Sequence, residues 1–339
     1  MSWKAEWHEA VDAEAMISAS VNPGFVLASV FQHPTLIRAW LKTKGSALGL
    51  MPALAILEHG SSQVLMPLVV RTTLGLRRAV MVGEPHFDYQ IPMTDALLDW
   101  PQFWSSMWRP LARRGRLADL LVRRLPERFV GSAGNPDPDV ETAILQLDGC
   151  SDLDAYLATR GANLRSDVRR RMRRANELGG IRLSVFSSDE VEPARAAFAA
   201  MRAAYEELHR SEPSGRMFQQ PGTAEFYLEL IEQALPLGLL HFSVLSIGGR
   251  DAAWHFGFLY DRVLHWYKPT YAPWAAHLAP GKLMLAELVR FGIAERWHAI
   301  DFGGGTEPYK AQWGNRTEAL RSLRFFGPTL GGWLLRQRR

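Results

Sequence analysis

The chain has one cysteine, Cys150, in 339 residues. That excludes an intrachain disulfide framework and any Cys-rich zinc site, and it fits a reducing compartment. The thiol lies in LDGCSDLD, an interdomain stretch, where a structural cysteine is the plain reading. No apolar run reaches the length that crosses a bilayer, and the start MSWKAEWHEAVDAEAM carries acids and no apolar core, unlike a signal peptide. The expectation is a cytoplasmic protein, with peripheral contact at the inner membrane as an option. The same start lacks the second histidine of a zincin, and no His/Asp/Glu group has metal-ligand spacing, so no metal is expected. There is no GxxxxGK[ST], no GxGxxG ahead of a helix and no GxSxG, which removes nucleotide triphosphatase, Rossmann and serine hydrolase readings. Low-complexity tracts and short repeats are missing too.

What is present is a globular composition, 47% hydrophobic and 22% charged, in a chain long enough for two domains. AGNPDPDVETA, residues 133–143, concentrates turn formers and predicts a linker, with the boundary near residue 148. The organisation expected is 1–148, 149–330 and a basic amphipathic tail at 331–339. The first part reads as short apolar runs separated by Gly/Ser turns, a meander of strands, with a helix around DALLDWPQFWSSMWRPLARRG. The second part reads as a basic helix, a strand, a helix pair between Glu190 and Leu235, then three strands, the first two joined at Gly248-Gly249. The terminal strand SLRFFG is expected to close this second part. Net charge is only +4, yet Arg160, Arg165, Arg169, Arg170, Arg171, Arg173 and Arg174 crowd one helix. That face is either solvated or meets phosphate or an anionic membrane surface. It lacks interleaved aromatics, so nucleic acid is not expected as a partner.

Strand, loop, helix and strand follow one another from Arg262 to Phe302, a βαβ unit. Its helix begins at Pro280 and Gly281, where first-turn amides have no intrahelical partner, so the loop His277–Lys282 is a candidate phosphate cradle. The second strand runs into IDFGGGTEPYKAQWG, residues 300–314. Three glycines in a row turn the backbone where a Cβ would clash, and Tyr309, Lys310 and Trp313 follow. The alternative for Tyr309 and Trp313 is simple packing at i and i+4.

The blocks SDVRRRMRRANELG, LHR…GRMF…FYLELI, GRDAAWHFGFLYDRVLHWYKPTYAPW…APGKLML and IDFGGGTEPYKAQWG, in that order, resemble the GNAT-fold acyltransferases of the cellulose-biosynthesis acetyltransferase-like type. FemAB-type peptidyltransferases are more distant relatives. The resemblance runs from about Ala155 to Phe326, and the first half resembles a degenerate companion domain. It implies an α+β fold of two tandem GNAT-like domains, with mixed, mostly antiparallel sheets flanked by helices. It also implies transfer of an acyl group from a thioester, with acyl-CoA as co-substrate and no permanently bound cofactor. The donor pyrophosphate then maps onto Ala279, Pro280, Gly281 and Lys282. The usual Q/RxxGxG signature is missing, which leaves acetyl-CoA, a longer acyl-CoA, an acyl carrier protein or aminoacyl-tRNA open as donor. An amine acceptor in envelope lipid or polysaccharide synthesis is the leading expectation, a sphingoid base in a bacterial ceramide-synthase-type reaction being one concrete option. The alternatives are a FemAB-type aminoacyl transferase and a silent GNAT-like binding module.

Aminolysis of a thioester needs a deprotonated amine, a partner for the oxyanion and a proton for the leaving thiolate. His255, in AAWHFGFL, is the candidate base, with a core histidine as its alternative. Tyr309 is the candidate acid, as in GNAT enzymes at a similar place. Lys310 is expected to meet substrate phosphate or carboxylate, as in FemAB-type relatives, or to pair with Glu307. Asp301 orients His255 or Lys268, or caps the turn. His209 and Arg210 sit on an expected lid loop, and Phe218, Tyr267, Glu307 and Trp313 complete the set expected at the acceptor.

Overall fold

The computed structural model describes residues 3–9, 12, 15–16, 18, 24–131, 137–328 and 330–337. The chain divides into two compact units, residues 1–141 with 318–339, and residues 142–317. The boundary expected near residue 148 therefore falls at Glu141/Thr142, and the chain returns to the first unit at Glu318. Residues 132–136 of the expected linker, and residues 338–339 of the expected tail, lie outside the described residues.

The first unit is a sheet in the order β1-β2-β3-β4-β6-β13, with β5 on β3. These strands are β1 (Lys4–Glu9), β2 (Met51–His59), β3 (Ser62–Thr73), β4 (Leu76–Met81), β5 (Met93–Thr94), β6 (Asp119–Pro126) and β13 (Arg316–Phe326). The expected meander is the run β2 to β4, in which each strand pairs antiparallel with the next. Helix α1 (Pro34–Trp40) precedes β2, and α2 (Trp100–Gly115) separates β5 from β6. In α2, Phe103, Trp104, Met107, Trp108 and Leu111 recur at helical spacing and are buried. The segment SLRFFG, expected at the end of the second part, is counted with the first unit. It lies in β13, where Leu320 to Phe326 pair antiparallel with β6, because that edge needs backbone partners.

The second unit is a sheet in the order β7-β12-β11-β10-β9-β8. Its strands are β7 (Asp137–Gln146), β8 (Ile181–Val185), β9 (Leu240–Ile247), β10 (Arg250–Tyr260), β11 (Val263–Tyr271) and β12 (Ala299–Gly304). Its helices are α3 (Leu153–Ala158), α4 (Ala162–Glu177), α5 (Val191–Leu208), α6 (Thr223–Ala234), α7 (Pro280–Ala294) and α8 (Pro308–Trp313). One further helix, α9 (Leu330–Gln337), follows β13 in the first unit. Gly248 and Gly249 both have positive φ, +59° and +78°, and turn β9 tightly into β10.

Helices cover both faces of this sheet, which is why β9 and β10 read as nearly unbroken apolar runs. On one face Phe242 and Phe256 pack with Phe198 of α5 and Tyr227 of α6. On the other, Leu245, Ala253 and Trp266 join Leu283, Leu285, Leu288 and Val289 of α7 and the aromatic rings of Tyr156 and Trp313.

The expected βαβ unit is β11-α7-β12, and its two strands are parallel. They pair at only three positions, Val263↔Ala299, Leu264↔Ile300 and His265↔Asp301. Beyond His265 they part, and β11 runs on to Tyr271 beside β10 alone.

Candidate active site

Beside the stretch of β11 that has left β12 lies a cavity of about 510 Å³. Trp266, Thr270 and Tyr271 of β11 form one wall, and Tyr309 and Trp313 of α8 another. Ala279 to Lys282 and Leu285 close the α7 side, while Leu208, His209 and Glu212 come from the end of α5 and the turn after it. Sequence patterning brings these together simply. A parallel crossover places the start of its helix and the end of its second strand at the same end of the sheet.

Tyr309 stands at the centre of this arrangement. Its Oη accepts a hydrogen bond of 3.1 Å from Trp266 Nε1. An indole N–H can only donate, so the phenol proton is left to point elsewhere. Burial pushes the Tyr309 hydroxyl up to about 12, against the opposing effect of the Trp266 hydrogen bond, so it is protonated throughout the neutral range. The ring of Phe302 meets Tyr309 edge-on at 5.9 Å.

At the α7 end, Ala279 holds φ +53°, a left-handed conformation that an L-residue adopts at a cost of about 1–2 kcal/mol. Its N–H donates to Ala276 and its carbonyl accepts from Lys282 N–H, both at 3.0 Å. Pro280 has no N–H. Gly281 is therefore the one residue of the loop whose amide finds no acceptor among the described residues, and a Cβ built on it would meet open space. Lys282 is not a loose cation, because its Nζ donates at 2.7 Å to Asp167 of α4. Burial pushes the Asp167 carboxyl up, but hydrogen bonds from Lys282, Arg171 and Arg170 outweigh it and hold the group well below the ordinary carboxylate range.

Several expected site residues are elsewhere. His255 has no exposed surface; its ring stacks on Trp266 with centroids 4.5 Å apart, behind that ring rather than in the cavity. Neither ring nitrogen has a hydrogen-bond partner, and burial, followed by the neighbouring His241, pushes its pKa well below the ordinary value. A neutral, enclosed imidazole of this kind has no path to an acceptor nitrogen, so the base assignment at His255 is corrected to a core histidine.

Asp301 Oδ2 lies 3.8 Å from His265 Nδ1. Its Oδ1 accepts from Thr142 Oγ1 and Gly303 N–H, each at 2.9 Å, which caps the glycine turn. Lys310 points inward, donating to the Gly304 carbonyl at 2.9 Å with Glu307 at 3.1 Å. Both lysine and aspartate thus shape the turn that carries Tyr309. Phe218 and Tyr267 belong to the opposite face of the sheet, Phe218 against Phe198 and Tyr227, Tyr267 against Phe258 and Tyr227. Arg210 and Glu307 are exposed and do not line the cavity.

His209 and Trp313 do line it. Trp313 is fully buried, stacks on Tyr156 and keeps its Nε1–H without an acceptor. Sequence reasoning missed Trp266, Asp167 and Glu212. Trp266 sits inside a motif already singled out, and Glu212 follows His209 by three residues, a spacing that allows a side-chain pair. Asp167 is one acid among many arginines, and nothing in the sequence marks it.

Residues 162–311, under half of the chain, match the family model described as acetyltransferase (GNAT) domain. No curated protein matches the chain. Among solved structures, the chain is similar to the C-terminal domain of a protein assigned as a lysylphosphatidylglycerol synthetase from Agrobacterium fabrum, at TM-score 0.59 and 11% identity over 96% of this chain and 95% of that one. It is similar to FemX at TM-score 0.59 and 10% identity, over 98% and 99% of the two chains. Identities this low speak to fold, and the fold is α+β with a mixed GNAT-type sheet flanked by helices. The chain carries an acyltransferase domain.

Proposed function

We propose that the second unit transfers an acyl group from acyl-CoA to an amine, in the cavity beside β11 and the start of α7. The observation that carries this reading is the pair of features at that cavity: an unused amide at Gly281 and a buried, protonated phenol at Tyr309. The Gly281 amide and the positive end of α7 suit the donor pyrophosphate. Absence of a side chain at Gly281 allows close approach.

From there the pantetheine arm would run along β11 toward Tyr309. Beyond His265 β11 no longer pairs with β12, and backbone N–H groups of that stretch are candidates to meet the acyl carbonyl as charge develops on oxygen. Attack by the amine forms the C–N bond and breaks the C–S bond. The departing thiolate receives the Tyr309 hydrogen bond, whose proton is free because Trp266 already satisfies the phenol oxygen from the other side.

Apolar lining by Leu208, Trp266, Leu285 and Trp313 favours an amphiphilic acceptor or a long acyl chain over a small polar one. This supports an amine of envelope lipid synthesis, a long-chain amino alcohol among the candidates. Product mass spectrometry with a panel of acyl-CoAs and amines is the test. Amide formation from a CoA thioester is expected; turnover with aminoacyl-tRNA alone would overturn the donor assignment.

A further inference from the structure

With His255 enclosed in the core, the attacking amine needs another proton acceptor, and the cavity wall carries one imidazole, His209. It sits just past the C-terminal end of α5, where its backbone N–H still bonds the Tyr205 carbonyl at 3.1 Å. Its Nδ1 lies 3.0 Å from Glu212 Oε2, and its ring packs on Tyr205 with centroids 4.6 Å apart. The turn that makes this pair is tight. Glu212 N–H donates to the His209 carbonyl at 2.9 Å and Gly215 N–H to the Glu212 carbonyl at 3.1 Å. A Cβ on Gly215 would collide with the His209 carbonyl oxygen, so glycine is required for the segment to fold back this closely.

We propose that His209, oriented by Glu212, accepts the proton of the attacking amine through Nε2. The inference rests on the reading of the cavity as an aminolysis site. A carboxylate accepting Nδ1–H selects the tautomer whose lone pair is on Nε2, and it stabilises the imidazolium once formed. Nε2 has no partner among the described residues. The other titratable or charged groups at the cavity are Tyr205 beneath the ring, Glu212 beside it, and Lys282, Tyr271 and Tyr309 across from it. None of these competes well. Lys282 is committed to Asp167, and Tyr309 is held protonated.

The step balances: the amine nitrogen gives up one proton to Nε2 as the C–N bond forms, and the sulfur takes up one as the C–S bond breaks. The products are an amide and a thiol. Glu212 is then a positioning residue and His209 the catalytic one.

The test uses the full chain in two arms. With acyl-CoA and an amine that the wild type acylates, His209→Ala should lower kcat by about 10²–10⁴-fold at unchanged donor affinity, and free imidazole should restore part of the rate. Glu212→Gln should retain an intermediate rate. Separately, ¹⁵N-labelled histidine NMR of the unliganded protein should find neutral His209 protonated on Nδ1, with that preference lost in Glu212→Gln. A folded His209→Ala with wild-type kcat, a loss that imidazole cannot rescue, or the opposite tautomer would each overturn the proposal. Failure of every CoA thioester with the wild type would instead count against the donor reading, while the tautomer result still decides the role of the pair.

Discussion

At the scale of single residues, the acid–base pair that the sequence suggested separates into a cavity residue, Tyr309, and a core residue, His255. Tyr309→Phe removes the acceptor of the Trp266 indole and the donor to sulfur together, so kcat should fall by about 10²–10⁴-fold while calorimetric donor affinity stays within a few-fold. A Tyr309→Phe enzyme with wild-type kcat would return the tyrosine to packing. His255 behaves oppositely. Removing it should cost stability, since its ring fills the space between Trp266 and the α-carbon of Gly257, where any Cβ would strike it. Lys310→Met should likewise destabilise, by about 1–3 kcal/mol, because the Gly304 carbonyl and the Asp301-capped turn lose their buried partner. Urea unfolding midpoints of the two variants check both statements.

At the scale of elements, the start of α7 is the most sensitive place for the donor. Gly281→Glu meets no steric obstacle at Cβ, so the variant should fold, yet it places a carboxylate where phosphate is expected. Donor binding should weaken at least tenfold by calorimetry. Unchanged affinity would move the pyrophosphate elsewhere. The basic helix α4 and the Arg160 that precedes it are less free than their seven arginines suggest. Arg169 is held by Asp154, Arg170 and Arg171 by Asp167, and Arg160 by the carbonyls of Ala311 and Gln312. Arg165, Arg173 and Arg174 have no acidic partner among the described residues. If this helix meets an anionic surface, replacing those three with Gln should reduce binding to vesicles containing anionic lipid, with a clear salt dependence, whereas Arg170→Gln should matter little.

Much of the second unit was legible at this scale. The Gly248-Gly249 turn, the crossover through α7 and the glycine turn after β12 all have local signals, because turns and caps are decided by residues near in sequence. What could not be read is which face each strand presents. Tyr267 and Trp266 are adjacent, and only the bulge between Phe256 and Phe258 and the packing of α5 and α6 decide which of them reaches the cavity. His255 was misjudged for the same reason. A histidine on a strand of small and aromatic residues looks alike whether a helix or a ligand covers it.

For the whole molecule, three buried histidines set the response to acid. Burial pushes His241 down to about 4, His255 well below its ordinary value, and His265 down against the opposing pull of Asp301. Unfolded, each would take up a proton below about pH 6.5. Folded, they do not, so the unfolded chain binds more protons and stability falls as pH drops. Each contributes up to about 1.4 kcal/mol per pH unit in the window from about 6.5 down to its folded value. The urea midpoint should be lower at pH 5 than at pH 7, and His241→Gln should flatten that dependence. A midpoint constant over this range would contradict the burial of these rings.

The order of strands along the chain has a consequence for synthesis. The second unit, residues 142–317, is uninterrupted, but the first waits for β13, the last of the described strands. On the ribosome the acyltransferase unit can therefore close while β6 still waits with one edge bare, and an exposed edge recruits strands from other chains. Nascent chains released before Arg316 should be the ones that aggregate.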